Sequence, residues 1–282
     1  EDYAAALDTA ASLLRDDPSD ANLWREVERL GPLTGDQYEQ RVADIFVTAL
    51  EEVGADDPDT AEMCKRTGEL FDIVDDKENA LKWYGRAFEH DQSADELFGA
   101  IDELLTELER HEQRVEHYRA AIDRSLDDDF RVEALGVIAE IQRDELKQLD
   151  EAIDTFREVL DLDPGEEGSL DALTDLYKQG DRREDLIDLY SHRSEQSDDP
   201  ALAAPHQLNL ARLLAEDPSA RDEALDQWQV IVDSQPDHEE AVADIEGMLE
   251  KEEGEDRKQR IIDMLRPLYE QGGNWKGQIT LN

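Results

Sequence analysis

A single cysteine, Cys64, stands among 282 residues. No internal disulfide can therefore staple the chain, and no Cys/His cluster of the zinc-binding kind can form. Basic residues are scarce and are mostly arginine: 29 Lys and Arg face 75 Asp and Glu, for a formal net charge of −46. A surface of this sign repels polyanions, which argues against nucleic acid and anionic membrane as partners. No run of about 18 apolar residues is available to cross a bilayer, and no basic start leads into a short apolar stretch of the signal-peptide kind. Membrane insertion is not expected, and the compartment stays open with the cytoplasm favoured. The chain begins at Glu1; a piece of a longer protein is expected, and any targeting segment would then lie outside it.

What is present is 39% hydrophobic residues, enough for a sizeable core or for a continuous one shared along an array. The apolar residues recur at three- and four-residue spacing, which places them on one face of a helix, and strand-like alternation is absent. Asp-, Gly- and Pro-rich breaks interrupt the pattern at Asp16-Asp17-Pro18, Gly54 to Pro58, Asp75-Asp76, Asp127 to Asp129, Asp163-Pro164-Gly165, Gly180-Asp181, Asp198-Asp199-Pro200, Asp217-Pro218, Gln235-Pro236 and Gly272-Gly273. Each joins a capping carboxylate to a residue that stops a helix. About a dozen helices of ordinary length follow from this.

One amphipathic phrase returns along the chain. Ala80 in "NALKWYGRA", Ala152 in "EAIDTFREV" and Ala224 in "EALDQWQVI" are spaced by 72 residues, and a second kind of helix begins between them at Arg114 and Asp185. Each period thus holds two helical pairs, separated alternately by about 34 and 38 residues. The pattern Ala-x3-aromatic followed by proline resembles the tetratricopeptide repeat. It is carried by Ala80 with Tyr84, by Ala152 with Phe156 and Pro164, and by Ala224 with Trp228 and Pro236; Gly68 and Phe71 match the small and aromatic positions of a first helix. Small residues let two helix backbones approach, and the aromatic fills the space beside them.

The resemblance implies an all-α, right-handed superhelical α-solenoid of stacked antiparallel helix pairs. Residues 1–57 are read as divergent N-terminal helical repeats. Residues 58–282 are read as the repeat array, with pairs at about 58–91, 92–127, 128–165, 166–199, 200–236 and 237–271. Arg114 and Asp185 stand where the family prefers alanine, and Gln92 where it places a proline. Both ends look cut within a repeat.

Catalytic signals are poor, and no enzyme activity or cofactor is expected. His111 and His238 each open a His-Glu pair, but Val115 and Val242 stand where the second histidine of a zincin is needed. Cys64 is expected in the core rather than as an activated thiolate. Asp56-Asp57-Pro58-Asp59 and Asp127-Asp128-Asp129 lack the spacing of a calcium-binding loop and are read as caps and turns; a cation-binding surface is the minor alternative. Trp83 and Trp228 are read as core.

If the family's geometry holds, first helices line a concave wall, and the positions facing a ligand are Glu62, Lys65, Glu69, Asp72, Glu96, Glu103 and Glu107. The resemblance implies a non-enzymatic scaffold for a partner protein or peptide, and this acidic set suits a basic one. Three alternatives remain: a merely solvated face, a surface adapted to high salt, or a regulatory arm of a larger enzyme.

Overall fold

The computed structural model describes residues 2–53, 60–90, 95–196 and 199–271. Among them are fifteen α-helices, one 3₁₀ turn and no strand. The chain divides into two compact units, Glu1–Gln148 and Leu149–Asn282. The first holds α1 (Tyr3–Asp16), α2 (Ala21–Leu30), a 3₁₀ turn at Gly31–Thr34, α3 (Tyr38–Val53), α4 (Ala61–Ile73), α5 (Lys77–His90), α6 (Asp95–Glu107), α7 (His111–Ile122) and α8 (Asp128–Asp144). The second holds α9 (Leu149–Leu162), α10 (Glu167–Gln179), α11 (Arg183–Gln196), α12 (Pro200–Ala215), α13 (Arg221–Ser234), α14 (Glu239–Lys251) and α15 (Glu255–Gln271).

Within each unit every helix packs on its chain neighbours. A single pair leaves apolar surface bare, and stacking covers it. In the first unit one continuous core runs from Leu7 on α1 through Phe46, Trp83 and Tyr84 to Leu105 on α6. In the second, Phe156, Leu173, Tyr177, Leu208, Trp228, Ile245 and Ile261 are all buried. This is the expected all-α stack of helix pairs.

Carboxylates start many of the helices. Asp20 Oδ1 accepts from the Asn22 amide at 2.8 Å, Asp127 Oδ1 from Asp129 at 3.1 Å and Asp199 Oδ1 from Ala201 at 2.9 Å. Each satisfies an amide that has no partner within its own helix. His238 does the same with a ring nitrogen, its Nδ1 accepting from Ala241 at 3.3 Å. Asp128 meanwhile pairs with Arg131 at 3.0 Å, so capping and turn chemistry occupies this acidic run. The acidic run at Asp56–Asp59, Gln92 and the half-repeat from Gly272 onward lie outside the described residues.

Helix ends repeat as regularly. Asp75, Glu109, Lys147 and Asp181 all adopt left-handed backbone, with φ of 63°, 54°, 56° and 53°. Their intervals are 34, 38 and 34 residues, the alternation seen in the sequence. After Asp75, Glu109 and Asp181 the next amide donates to a carbonyl five residues back: Asp76 to Phe71 at 2.9 Å, Arg110 to Leu105 at 2.8 Å and Arg182 to Tyr177 at 2.8 Å. That is the Schellman closure. After Lys147 the bond reaches one residue further, from Gln148 to Gln142, at the end of the longer α8. In "LYKQGD" the left-handed residue is Asp181, not Gly180, whose φ is −84°.

Basic side chains link alternate helices about one repeat apart. Arg41 on α3 reaches Asp8 on α1 at 2.7 Å, and Arg66 on α4 reaches Glu28 on α2 at 2.8 Å. In the second unit Arg157 on α9 reaches Asp185 on α11 at 2.8 Å, while Arg212 on α12 holds Asp244 and Glu240 on α14 at 2.6 and 2.9 Å. Arg260 on α15 pairs with Asp226 on α13. A chain with few cations uses many of them as ties between neighbouring repeats.

Candidate functional site

The seven candidate positions fall on two helices: Glu62, Lys65, Glu69 and Asp72 on α4, and Glu96, Glu103 and Glu107 on α6. Their spacings of three, four and seven residues keep each set on one helical face. Lys65 links the two sets: its Nζ donates to Glu96 Oε2 at 2.9 Å. The bond holds the Glu96 carboxyl below its ordinary range and raises the Lys65 ammonium.

Two further candidates are paired with residues outside the set. Glu69 is bound by Arg66, the same guanidinium that ties α4 to Glu28, and Glu107 accepts from Lys77 on α5 at 2.5 Å. Arg66, Lys77 and Glu28 were not singled out in the sequence. For Glu69 the available signal was a cation three residues away on the same helix. Glu62, Asp72 and Glu103 differ from these: all three are exposed, and among the described residues none of their side chains has a hydrogen bond or ion pair. The set thus divides into four side chains held in ion pairs and three carboxylates in water. Carboxylates in that state attract a cation without first breaking an existing pair.

Packing behind the face fixes α4. Gly68, Phe71, Ala80 and Tyr84 are buried, and Tyr84 fills the space left by Gly68. Burial, with Asp72 and Glu69 nearby, pushes the Tyr84 hydroxyl up to about 12, so it stays protonated. Cys64 is 3% exposed. Burial raises its thiol, the reverse of what an activated nucleophile requires. Trp83 is fully buried, with the Arg86 guanidinium 4.7 Å from its ring centroid. At the other repeat positions Ala152, Phe156, Ala224 and Trp228 are buried, while Pro164 and Pro236 are exposed just beyond α9 and α13.

The two alanine-slot departures have a shared explanation. Arg114 on α7 donates twice to Asp102 on α6, at 2.6 and 3.0 Å, and Tyr118 donates to the same carboxylate at 3.2 Å. Asp185 is held by both Arg157 and Arg182, each at 2.8 Å. Ion pairs occupy both positions, and no residue of α7 is fully buried. There His117 stacks on Phe98 at 4.3 Å, and its partial burial lowers its pKa.

Among the described residues no group of three His, Cys, Asp or Glu is placed to hold a metal ion, and no helix is long and apolar enough to cross a membrane.

Comparison with known proteins agrees with the repeat reading. Residues 132–166 match the family model described as tetratricopeptide repeat. Among solved structures, YrrB, described as a TPR protein with an unusual peptide-binding site, is similar at 18% identity over 83% of this chain and 96% of its own, with a TM-score of 0.32. The pilF protein of Pseudomonas aeruginosa is similar at 18% identity over 80% and 96%, with a TM-score of 0.34. The Naa15/Naa10 complex bound to HypK-THB aligns over 95% of this chain and 40% of its own, at 14% identity and a TM-score of 0.48. No curated protein matches the chain. Residues 132–166 are thus similar to the tetratricopeptide repeat, within an all-α stack of helix pairs.

Proposed function

We propose that this chain is a non-enzymatic interaction scaffold that holds a basic protein or peptide segment against the acidic face of α4 and α6. The observation that carries the proposal is the division within that face. Lys65, Glu96, Glu69 and Glu107 are fixed in ion pairs, whereas Glu62, Asp72 and Glu103 are exposed and unpaired among the described residues. Fixed side chains give the face a shape, and the three solvated carboxylates give it a charge. An Arg- or Lys-bearing segment meets both without displacing an internal partner. The array reads as residues 58–282 in six pairs, with 1–57 as divergent repeats.

The test is fluorescence anisotropy with a labelled Arg/Lys-rich peptide at fixed ionic strength. Triple reversal Glu62→Lys, Asp72→Lys and Glu103→Lys should weaken binding at least tenfold. Reversing three other exposed residues, Glu112, Glu116 and Asp123, changes the net charge equally and should weaken it far less. Equal losses in the two variants would mean that only the overall field attracts the peptide, and the assigned face would be wrong.

A further inference from the structure

Helix α7 is attached to its neighbours differently from the rest of the first unit. Every other α-helix of that unit buries several side chains completely, whereas α7 buries none and relies on half-buried Val115, Tyr118 and Ile122 for apolar contact. Its hold on α6 is largely polar. Arg114, His117 and Tyr118, spaced by three and four residues, share one helical face. Arg114 and Tyr118 both bond the Asp102 carboxylate, while His117 Nε2 lies 3.2 Å from the Phe98 carbonyl oxygen. A helix secured with so little burial belongs to the part of a fold that opens first.

His117 stands at the centre of an aromatic cluster drawn from four consecutive helices. Its ring lies nearly parallel to Phe98, with planes 19° apart, and 5.5 Å from the ring of Phe88 on α5. Phe130 of α8 meets Phe98 edge-on at 6.3 Å. All three phenylalanines are half-buried, so α7 is part of what keeps them from water. The surroundings of the imidazole act on its charge in both directions. Shielding from water opposes a positive ring, and so does Arg124, whose guanidinium lies 5.6 Å from the Phe88 ring centroid; the Phe98 carbonyl and Asp102 favour it. From α5 the ring meets only the uncharged Phe88 among these contacts. The opposing influences are the stronger, and the docked ring prefers to be neutral.

A histidine free in water takes up its proton near pH 6.5. Because the docked ring resists that proton, acid favours the form in which α7 has let go. The start of the helix responds in the opposite sense. There His111 Nε2 is 3.8 Å from Glu145 Oε2, a pair that gains charge and strength when the imidazole is protonated. Release therefore belongs to the second half of the helix. We infer that residues 117–122 form a proton-released flap, which rests on α6 at neutral pH and opens as the pH falls toward 5, baring the rings of Phe88 and Phe98.

The experiment is amide hydrogen exchange on the full chain, read residue by residue by NMR at two pH values, about 7.5 and about 5, with each rate divided by its intrinsic rate. At the higher pH the amides of residues 118–122 should open more often than those of α6. At the lower pH their opening constant should rise several-fold, toward a ceiling of about thirtyfold set by a freed histidine of ordinary pKa, while the amides of α10 in the second unit show no such rise. His117→Phe keeps a ring on Phe98 and removes the proton site, so its residues 118–122 should open equally at both pH values. Titration of the histidine ¹³Cε1 signals in the parent chain needs no variant, and His117 should gain its proton below the ordinary histidine value. Opening of α7 no more frequent than that of α6, an acid-driven rise that persists in His117→Phe, or a His117 midpoint at or above the ordinary value would each overturn the inference. No peptide enters these measurements, so their outcome is separate from that of the scaffold proposal.

Discussion

The ring of Tyr84 lies across Gly68: a Cβ on residue 68 would stand 2.6 Å from Cδ1 and 2.8 Å from Cε1. Those separations are shorter than carbon atoms tolerate, and the ring cannot easily yield because Tyr84 is only 6% exposed. Gly68→Ala should therefore destabilise the first unit by about 1–3 kcal/mol, the usual range for overpacking a core. Gly136 on α8 has open space at the same atom, and Gly136→Ala should stabilise by up to about 1 kcal/mol through helix propensity. Urea midpoints followed by circular dichroism measure both. A neutral or stabilising Gly68→Ala would mean that α4 and α5 are not held at this spacing.

The left-handed residues at the helix ends support a second expectation. Glutamate at 109 and lysine at 147 hold φ near 55°, a conformation that costs a residue with a Cβ about 1–2 kcal/mol and glycine little. Glycine gives part of that gain back as extra freedom in the unfolded chain. Glu109→Gly and Lys147→Gly should each stabilise by about 0.5–1 kcal/mol. The same change at Gly180's neighbour Asp181 should gain less, because aspartate tolerates the left-handed region better. Thermal midpoints of the three variants decide the order.

Much of this architecture was legible because packing and turns act through residue type. Ala80, Ala152 and Ala224 are each fully buried, and a 72-residue spacing of small residues among apolar ones is visible in a string of letters. The 34 and 38 alternation was equally plain, since it reflects the longer α8. What remained hidden depends on where long side chains reach. Nothing in the letters distinguishes Glu107, bound by Lys77, from Glu103, exposed and among the described residues unpaired; the difference is made by the neighbouring helix. Nor did the letters reveal that Asp181 rather than Gly180 turns left, or that Arg114 would find Asp102. Local propensity ranks glycine first at such a turn, and the chain geometry chose the next residue.

Glu252 offers a pH-dependent contribution with a definite sign. The Gly254 amide, then Arg257 and Arg221, favour its charged form and hold the carboxyl below the usual glutamate range. A depressed folded-state pKa adds stability above the unfolded value, near 4.3, and that contribution is lost as pH falls through the lower folded value. The melting temperature of Glu252→Gln should therefore lie below that of the parent chain by a constant margin from pH 7 down to about 5.5. The margin should close as acidification continues below about 4.5. A margin that widened on acidification would reverse the sign and remove Glu252 from this role.

Salt separates the two electrostatic influences on the fold. The ties between repeats are mostly exposed; in the Arg110–Glu78 pair, for example, the two side chains are 42% and 59% accessible. Pairs of this kind contribute about 0–1 kcal/mol each and weaken as salt screens them. Against them stands the repulsion of a chain carrying −46, which extends over many repeats and is cut back once the Debye length falls to about 10 Å near 0.1 M salt. Excess carboxylates outnumber the ties, so relief of repulsion should win. The melting temperature should climb as NaCl rises from about 10 mM to about 1 M. Neutralising exposed α7 carboxylates with Glu112→Gln and Glu116→Gln should raise the low-salt melting temperature and flatten the slope, because both residues add to the repulsion and neither belongs to a tie among the described residues. A melting temperature that fell with salt would assign the larger share of stability to the inter-repeat pairs, and the case for adaptation to a saline medium would go with it.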